Sequence, residues 1–291
     1  ILEYNEFLCL LYLGIPDKCR RRMWKILIGN PIGISINIYD FYKKDFPEIK
    51  FDELDNQYQK NPNNYIYNYY DDYDYIRNRI IIETIKSKYI FLQVINDKKI
   101  SINNLMTQVY SIARVFYLLR PEIAYNKGII TLIYIFLIVY QEENDCFINI
   151  INLIYTKNMF NDCIGNKYKI NKDIDFFTNW LKEKADKVYE HLEKLEVSVE
   201  LYFIPWFEEI FTKCLDIKIL VHVFDLYLIN GEYILFQTAL TIMKILNILF
   251  KMADALDNNS ECNQRRIQSV NFSDKNKDQE NSETSRLIQK N

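Results

Sequence analysis

PEIAYNKGIITLIYIFLIVY, residues 121–140, is the stretch that decides the fold. A short polar entry, Tyr125-Asn126-Lys127-Gly128, leads into an almost unbroken apolar run from Ile129 to Tyr140, and Gln141-Glu142-Glu143-Asn144-Asp145 ends it abruptly. The run is shorter than the roughly 20 apolar residues that cross a bilayer. A helix that is apolar on every side has to be covered on every side, so the stretch reads as the central buried helix of an all-α domain. Pro121 suits its first turn, because a fixed φ fits a helix start and the missing N–H would have had no partner there. The polar mouth is the part of this stretch able to meet another molecule.

Composition agrees. Of 291 residues, 49% are hydrophobic and 15% aromatic, with only 6 Gly and 6 Pro. That is enough apolar material for a sizeable core, and so few turn formers favour long helices over a sandwich or barrel. A net charge of −3 supplies no basic field for nucleic acid. The cysteines at 9, 19, 146, 163, 214 and 262 show no CxxC or Cys/His ligand spacing, which points to free thiols in a reducing compartment rather than zinc or a disulfide frame. The start lacks the charged and apolar build of a secretory leader, although the chain opens at Ile1 and not at Met. Heavy use of Ile, Asn, Tyr and Lys is what A/T-rich codons produce, so clusters of Tyr or Asn say little about function.

Working outward, Leu105, Val109, Ile112, Ala113, Phe116 and Leu119 recur at three and four and predict a helix over 102–119. Before it, Ile76, Ile80, Ile81, Ile82 and Ile85 form one face of another helix, with Glu83, Lys86 and Ser87 on a different face. Residues 1–13 are helical in spacing, and Gly14-Ile15-Pro16 stops them. Asp17 is then placed to cap a helix that closes at Gly29. Arg20, Arg21 and Arg22 point in three directions around it and read as a solvated face with one internal salt bridge, while Trp24 falls on the core side. From 32 to 75 no period is sustained, and the segment reads as a surface insertion or loop. After the central helix, 146–155 is a second apolar segment. Residues from Ile174 to Leu195 make an amphipathic stripe over 173–197 with charges opposite, and 201–211 and 217–228 read as two further short helices, with Asn230-Gly231 as a turn. Residues 234–252 are apolar, but Gln237, Thr238, Thr241, Lys244 and Asn247 interrupt them, which favours a packed helix over a membrane span. Residues 253–291 hold almost no core-forming content and are expected to be a flexible polar tail. The domain is thus expected over 1–252.

Four segments, in order, resemble the TBC domain, the catalytic module of Rab GTPase-activating proteins. Gly14-Ile15-Pro16 with Arg20, Arg22, Trp24 and Gly29 is similar to the family's opening signature. His191-Leu192, then Tyr202, Trp206-Phe207 and Phe211, then Phe224-Asp225 and Gly231, follow the pattern of its C-terminal half. His222 stands where that pattern has an arginine and is expected to pack or hydrogen-bond internally. The resemblance spans about residues 7–250 and implies a two-lobed all-helical domain.

It also implies a site. In the family an IxxDxxR segment supplies an arginine finger, and a YxQG segment supplies a glutamine that positions the attacking water. The matching residues here are Ile80 to Ser87, with Glu83 for the aspartate and Lys86 for the arginine, and Tyr125 to Gly128, with Lys127 for the glutamine. Lys86 and Lys127 therefore hold the two catalytic positions, and Glu83, Ser87, Tyr125 and Gly128 are the expected GTPase-binding residues. An arginine finger is worth roughly 10³–10⁵ in rate. A lysine brings charge without the planar fork, and an ammonium has donors but no acceptor with which to hold a water. The expectation is a Rab-binding protein of vesicle traffic with weak or absent GTPase activation. It needs no cofactor of its own, since GTP and Mg belong to the partner. It would be cytoplasmic and at most peripheral to endomembranes, with no transmembrane segment. The alternative is a helical scaffold that engages no GTPase, in which Lys86 and Lys127 are ordinary exposed lysines.

Overall fold

A computed structural model describes residues 14–46, 49–60, 72–97, 100–123, 125–157 and 167–252. The expected helix over 1–13 and the expected tail over 253–291 lie outside them. Every regular element among the described residues is a helix: α1 (Asp17–Ile28), α2 (Ile36–Lys43), α3 (Phe51–Lys60), α4 (Asp72–Asp97), α5 (Ile102–Leu119), α6 (Lys127–Tyr140), α7 (Glu143–Lys157), α8 (Lys167–Lys184), α9 (Asp186–Lys194), α10 (Glu200–Glu208), α11 (Ile217–Asn230) and α12 (Tyr233–Met252).

The first of two compact units comprises Ile1–Asn179 and Ser198–Ala239. Its centre is α6, packed against α1, α4, α5 and α7. Every residue from Gly128 to Ile138 is buried, as an all-round apolar helix requires, and each buried Leu, Ile or Phe contributes about 1.5–3 kcal/mol. The helix starts six residues after Pro121, at Lys127. Asn126 is the cap, its side chain accepting the Gly128 N–H at 2.7 Å, and Pro121 lies in the preceding turn. A capping side chain at 126 decides the start more strongly than the proline does. Gln141 ends the helix in a left-handed conformation, φ 59°, with its N–H on the Leu137 carbonyl.

Asp225 of α11 is wholly buried and ties α1 to α11. It accepts hydrogen bonds from Trp24 Nε1 at 2.7 Å, Arg20 Nε at 3.1 Å and the Ile15 N–H at 3.0 Å. Trp24 also stacks near Phe136 and Phe224, ring centroids 5.0 and 5.9 Å away. Gly14 has φ +93°, and a Cβ there would stand 2.8 Å from Nδ1 of His222, so the opening glycine is fixed by both backbone and neighbour. The arginine row is more engaged than a solvated face with one bridge. Arg20 pairs with Asp225 and Asp17, and Arg21 pairs with Asp145 at 2.5 Å. Asp17 is the first helical residue and not the cap, which is Pro16 without a side-chain bond.

The aperiodic segment is also more ordered than a loop. Within 32–75 lie α2, α3 and the start of α4, while 61–71 falls outside the described residues. Tyr39 and Phe51 are buried, Tyr39 donates to Glu143 of α7, and Lys88 of α4 pairs with Asp55 of α3. A few large anchors and cross-element ion pairs hold helices whose own periodicity is weak. Phe203, Phe207 and Phe236 form a further aromatic cluster in this unit.

The second unit comprises Trp180–Val197 and Leu240–Asn291. In it Asn247 Oδ1 accepts the Val188 N–H at 3.1 Å, and His191 lies 4.5 Å from the Phe250 ring. The amphipathic stripe over 173–197 is carried by two helices, α8 and α9, broken at Ala185. Helix α12 is long and apolar enough to cross a membrane by length and composition. Its early residues Ile234, Leu235, Phe236, Ala239, Leu240 and Met243 are buried, while Ile245, Ile248, Leu249 and Met252 are exposed.

Candidate functional site

Helix α4 presents Tyr75, Arg79, Glu83, Lys86 and Ile90 along one face, at spacings of four, four, three and four, the spacing that aligns side chains on a helix. They form one wall of a cavity of about 430 Å³. Tyr125, Lys127 and Thr131 at the start of α6, and Glu209 and Lys213 after α10, close the rest. The two lysines expected from sequence are thus brought to one place from distant parts of the chain.

They are not in equal states. Lys86 is exposed and has no salt-bridge partner among the described residues. Lys127 is ion-paired to Glu209, whose second cation is Lys213 at 2.8 Å. Glu209 is buried, 5% exposed, and the two ammonium groups pair its carboxylate, which a buried charge requires. It reaches the cavity because α10 ends in a sharp reversal. Ile210 and Phe211 both have positive φ, 52° and 58°, and the Phe211 N–H donates to the Trp206 carbonyl at 2.8 Å. For a β-branched residue such as Ile210 that conformation is a marked outlier, held here by burial of both side chains.

Glu83 is half-buried. Burial raises its carboxyl above the ordinary glutamate range, against the opposing pull of Lys86 and Lys127, and Glu209 adds to the rise. Ser87 is buried and donates to Glu83 at 3.4 Å. Gly128 is buried, its N–H is taken by the Asn126 cap, and it is not among the residues that line the cavity. The Tyr125 hydroxyl donates to the Arg79 carbonyl at 3.2 Å, and its ring stacks on Tyr117 with centroids 5.8 Å apart. Burial pushes the Tyr125 phenol far above its usual pKa.

Arg79, Glu209 and Lys213 are the charged cavity residues that the sequence pattern missed. Arg79 was within reach, being one turn before Glu83 on a helix already recognised. Glu209 was not, since nothing local links it to Lys127. Among the described residues no group of three or more His, Cys, Asp or Glu could hold a metal ion. The cavity can attract an anion by Arg79 and Lys86. Its one side-chain amide is that of Asn78 on α4; position 127 itself carries an ammonium and no amide.

The sequence model of the Rab-GTPase-TBC domain family matches residues 17–250. TBC1 domain family member 12 of Xenopus tropicalis is 26% identical over 84% of this chain and 35% of its own length. Drainin of Dictyostelium discoideum is 20% identical over 81% of this chain and 59% of its own length. The chain therefore spans only about a third to three fifths of these relatives. Among solved structures, the Chlamydomonas flagellar RabGAP TBC domain superposes with a TM-score of 0.57 at 14% identity, covering 84% of this chain and 72% of that one. The Ypt/Rab-GAP domain of Gyp1p gives 0.53 at 15% identity, covering 84% and 79%. These two show the fold.

Proposed function

We propose that this chain, which belongs to the Rab-GTPase-TBC domain family, docks a Rab-type GTPase over the cavity between α4 and the start of α6 and regulates it in vesicle traffic with weak or absent GTPase activation. GTP and Mg come with the partner. The setting would be the cytoplasm, peripheral to endomembranes. The observation that carries the weak-activity reading is the Lys127–Glu209 ion pair. The residue at the glutamine position is both the wrong chemical type and engaged inside the wall. With no amide at position 127, what that position contributes is positive charge, and in phosphoryl transfer positioning is as important as charge.

The test is a panel of Rab GTPases, loaded with GTP or GDP, measured for binding and for single-turnover hydrolysis. Binding without strong acceleration, lost in Lys86→Glu, is the expected result. Lys86→Glu is the cleaner charge reversal, since Lys127→Glu would also set a second carboxylate against Glu209. Absence of binding to every Rab in either state would instead support the helical scaffold.

A further inference from the structure

We propose that Arg79 is the residue through which the cavity meets the terminal phosphate of GTP on a docked GTPase, in place of the side chain at position 86. This rests on the reading of the cavity as a GTPase-docking face.

The cavity holds four cations, and they differ in what they have left to offer. Lys127 and Lys213 share the buried carboxylate of Glu209. Lys86 is without a salt bridge but lies close enough to Glu83 to act on its carboxyl. The Arg79 guanidinium has no carboxylate partner among the described residues. It is held instead by aromatic faces, 4.8 Å from the Tyr125 ring centroid and 5.5 Å from that of Tyr75, with Nη1 donating to the Tyr75 hydroxyl at 3.1 Å. Ring faces attract a cation without neutralising it. The charge is therefore fixed in place and remains available.

The chemistry of the group favours it further. A guanidinium presents donors in a planar fork that matches phosphate oxygens two at a time, which an ammonium cannot do. Tyr125 fixes both ends of the residue. Its ring lies against the guanidinium, and its hydroxyl binds the Arg79 carbonyl. Tyr125 is itself fixed by stacking on Tyr117, whose hydroxyl accepts the Asn126 N–H at 3.0 Å and donates to the Asn126 carbonyl at 3.1 Å. A side chain ordered before binding loses less entropy when a ligand arrives. Arg79 precedes Lys86 by two helical turns, about 10 Å along the axis, so the phosphate contact is displaced along the same face of α4 and not moved to another element.

The experiment uses the same GTPase panel, loaded with a non-hydrolysable GTP analogue or with GDP. Binding is measured for wild type, Arg79→Ala, Arg79→Lys and Lys86→Ala, with melting temperatures recorded alongside. Arg79→Ala is expected to weaken binding of the analogue-loaded form about tenfold or more and to leave the GDP-loaded form unchanged. Arg79→Lys keeps the charge and a folded wall, and is expected to recover only part of the loss. Equal weakening in both nucleotide states, no weakening, or a larger state-dependent loss in Lys86→Ala overturns the assignment while leaving the docking reading intact. If wild type binds no GTPase in either state, the docking reading itself fails and this assignment falls with it.

Discussion

Two polar centres of the first unit can be set side by side. Around Asp225 the carboxylate is fully buried, and Trp24, Arg20 and the Ile15 N–H donate to it. In the cavity, Glu209 is satisfied by two lysines, whereas Lys86 and Arg79 carry charge that no carboxylate among the described residues neutralises. The first centre closes on itself and holds helices together. The second leaves charge directed at open space, which a protein keeps at little benefit to its own stability. Ile15, Arg20, Trp24 and Asp225 of the first centre lie in segments that carry the family resemblance, and Lys86 and Lys127 of the second stand where that resemblance would place an arginine and a glutamine.

Substitutions can break or sharpen that contrast. The largest effect should come from Asp225→Ala, which leaves the buried Trp24 indole N–H without its acceptor and takes one of two carboxylate partners from part-buried Arg20. Loss of one partner of a buried pair costs about 3–5 kcal/mol, measurable as a lowered denaturant midpoint, and an unchanged midpoint would sink the structural reading of that centre. Gly14→Ala comes next, at about 1–3 kcal/mol, for strain at φ +93° together with the approach to His222. Adding His222→Ala should relieve the clash and leave the backbone part. Glu209→Gln should cost only about 1 kcal/mol, since Lys127 and Lys213 can turn to water. A loss as large as that of Asp225→Ala would erase the distinction between the two centres.

The smallest effect concerns pH. The Glu83 carboxyl is raised above 4.5 by burial, so folding favours its protonated form. Stability from this group is fully present below the unfolded pKa and is lost as pH rises through the folded one. Glu83→Gln should therefore melt higher than wild type at pH 8, with the gap closing toward pH 4. A gap that widens on acidification would show that the lysines, and not burial, govern this carboxyl.

The helical class was legible because one run, 129–140, reads as a buried helix; Ile15, Arg20, Trp24 and Asp225 were each singled out as motif residues, but that they meet in one buried centre was not legible, since about 200 residues separate Asp225 from the others. Helices α2 and α3 were not, because their order derives from Tyr39, Phe51 and ion pairs to distant helices and not from periodicity. In the cavity, Lys86 and Lys127 were legible as substitutions within a pattern. Their different states were not, since Glu209 reaches Lys127 only through a left-handed turn at Ile210 and Phe211 that no local propensity encodes.

The most direct test is single-turnover GTP hydrolysis by a Rab that binds, with wild type set against the double variant Lys86→Arg, Lys127→Gln. The account predicts that wild type leaves the rate near intrinsic and that the double variant raises it about a thousandfold or more. Wild type that already accelerates hydrolysis within about tenfold of the double variant, a difference of about 1.4 kcal/mol in barrier, would contradict it.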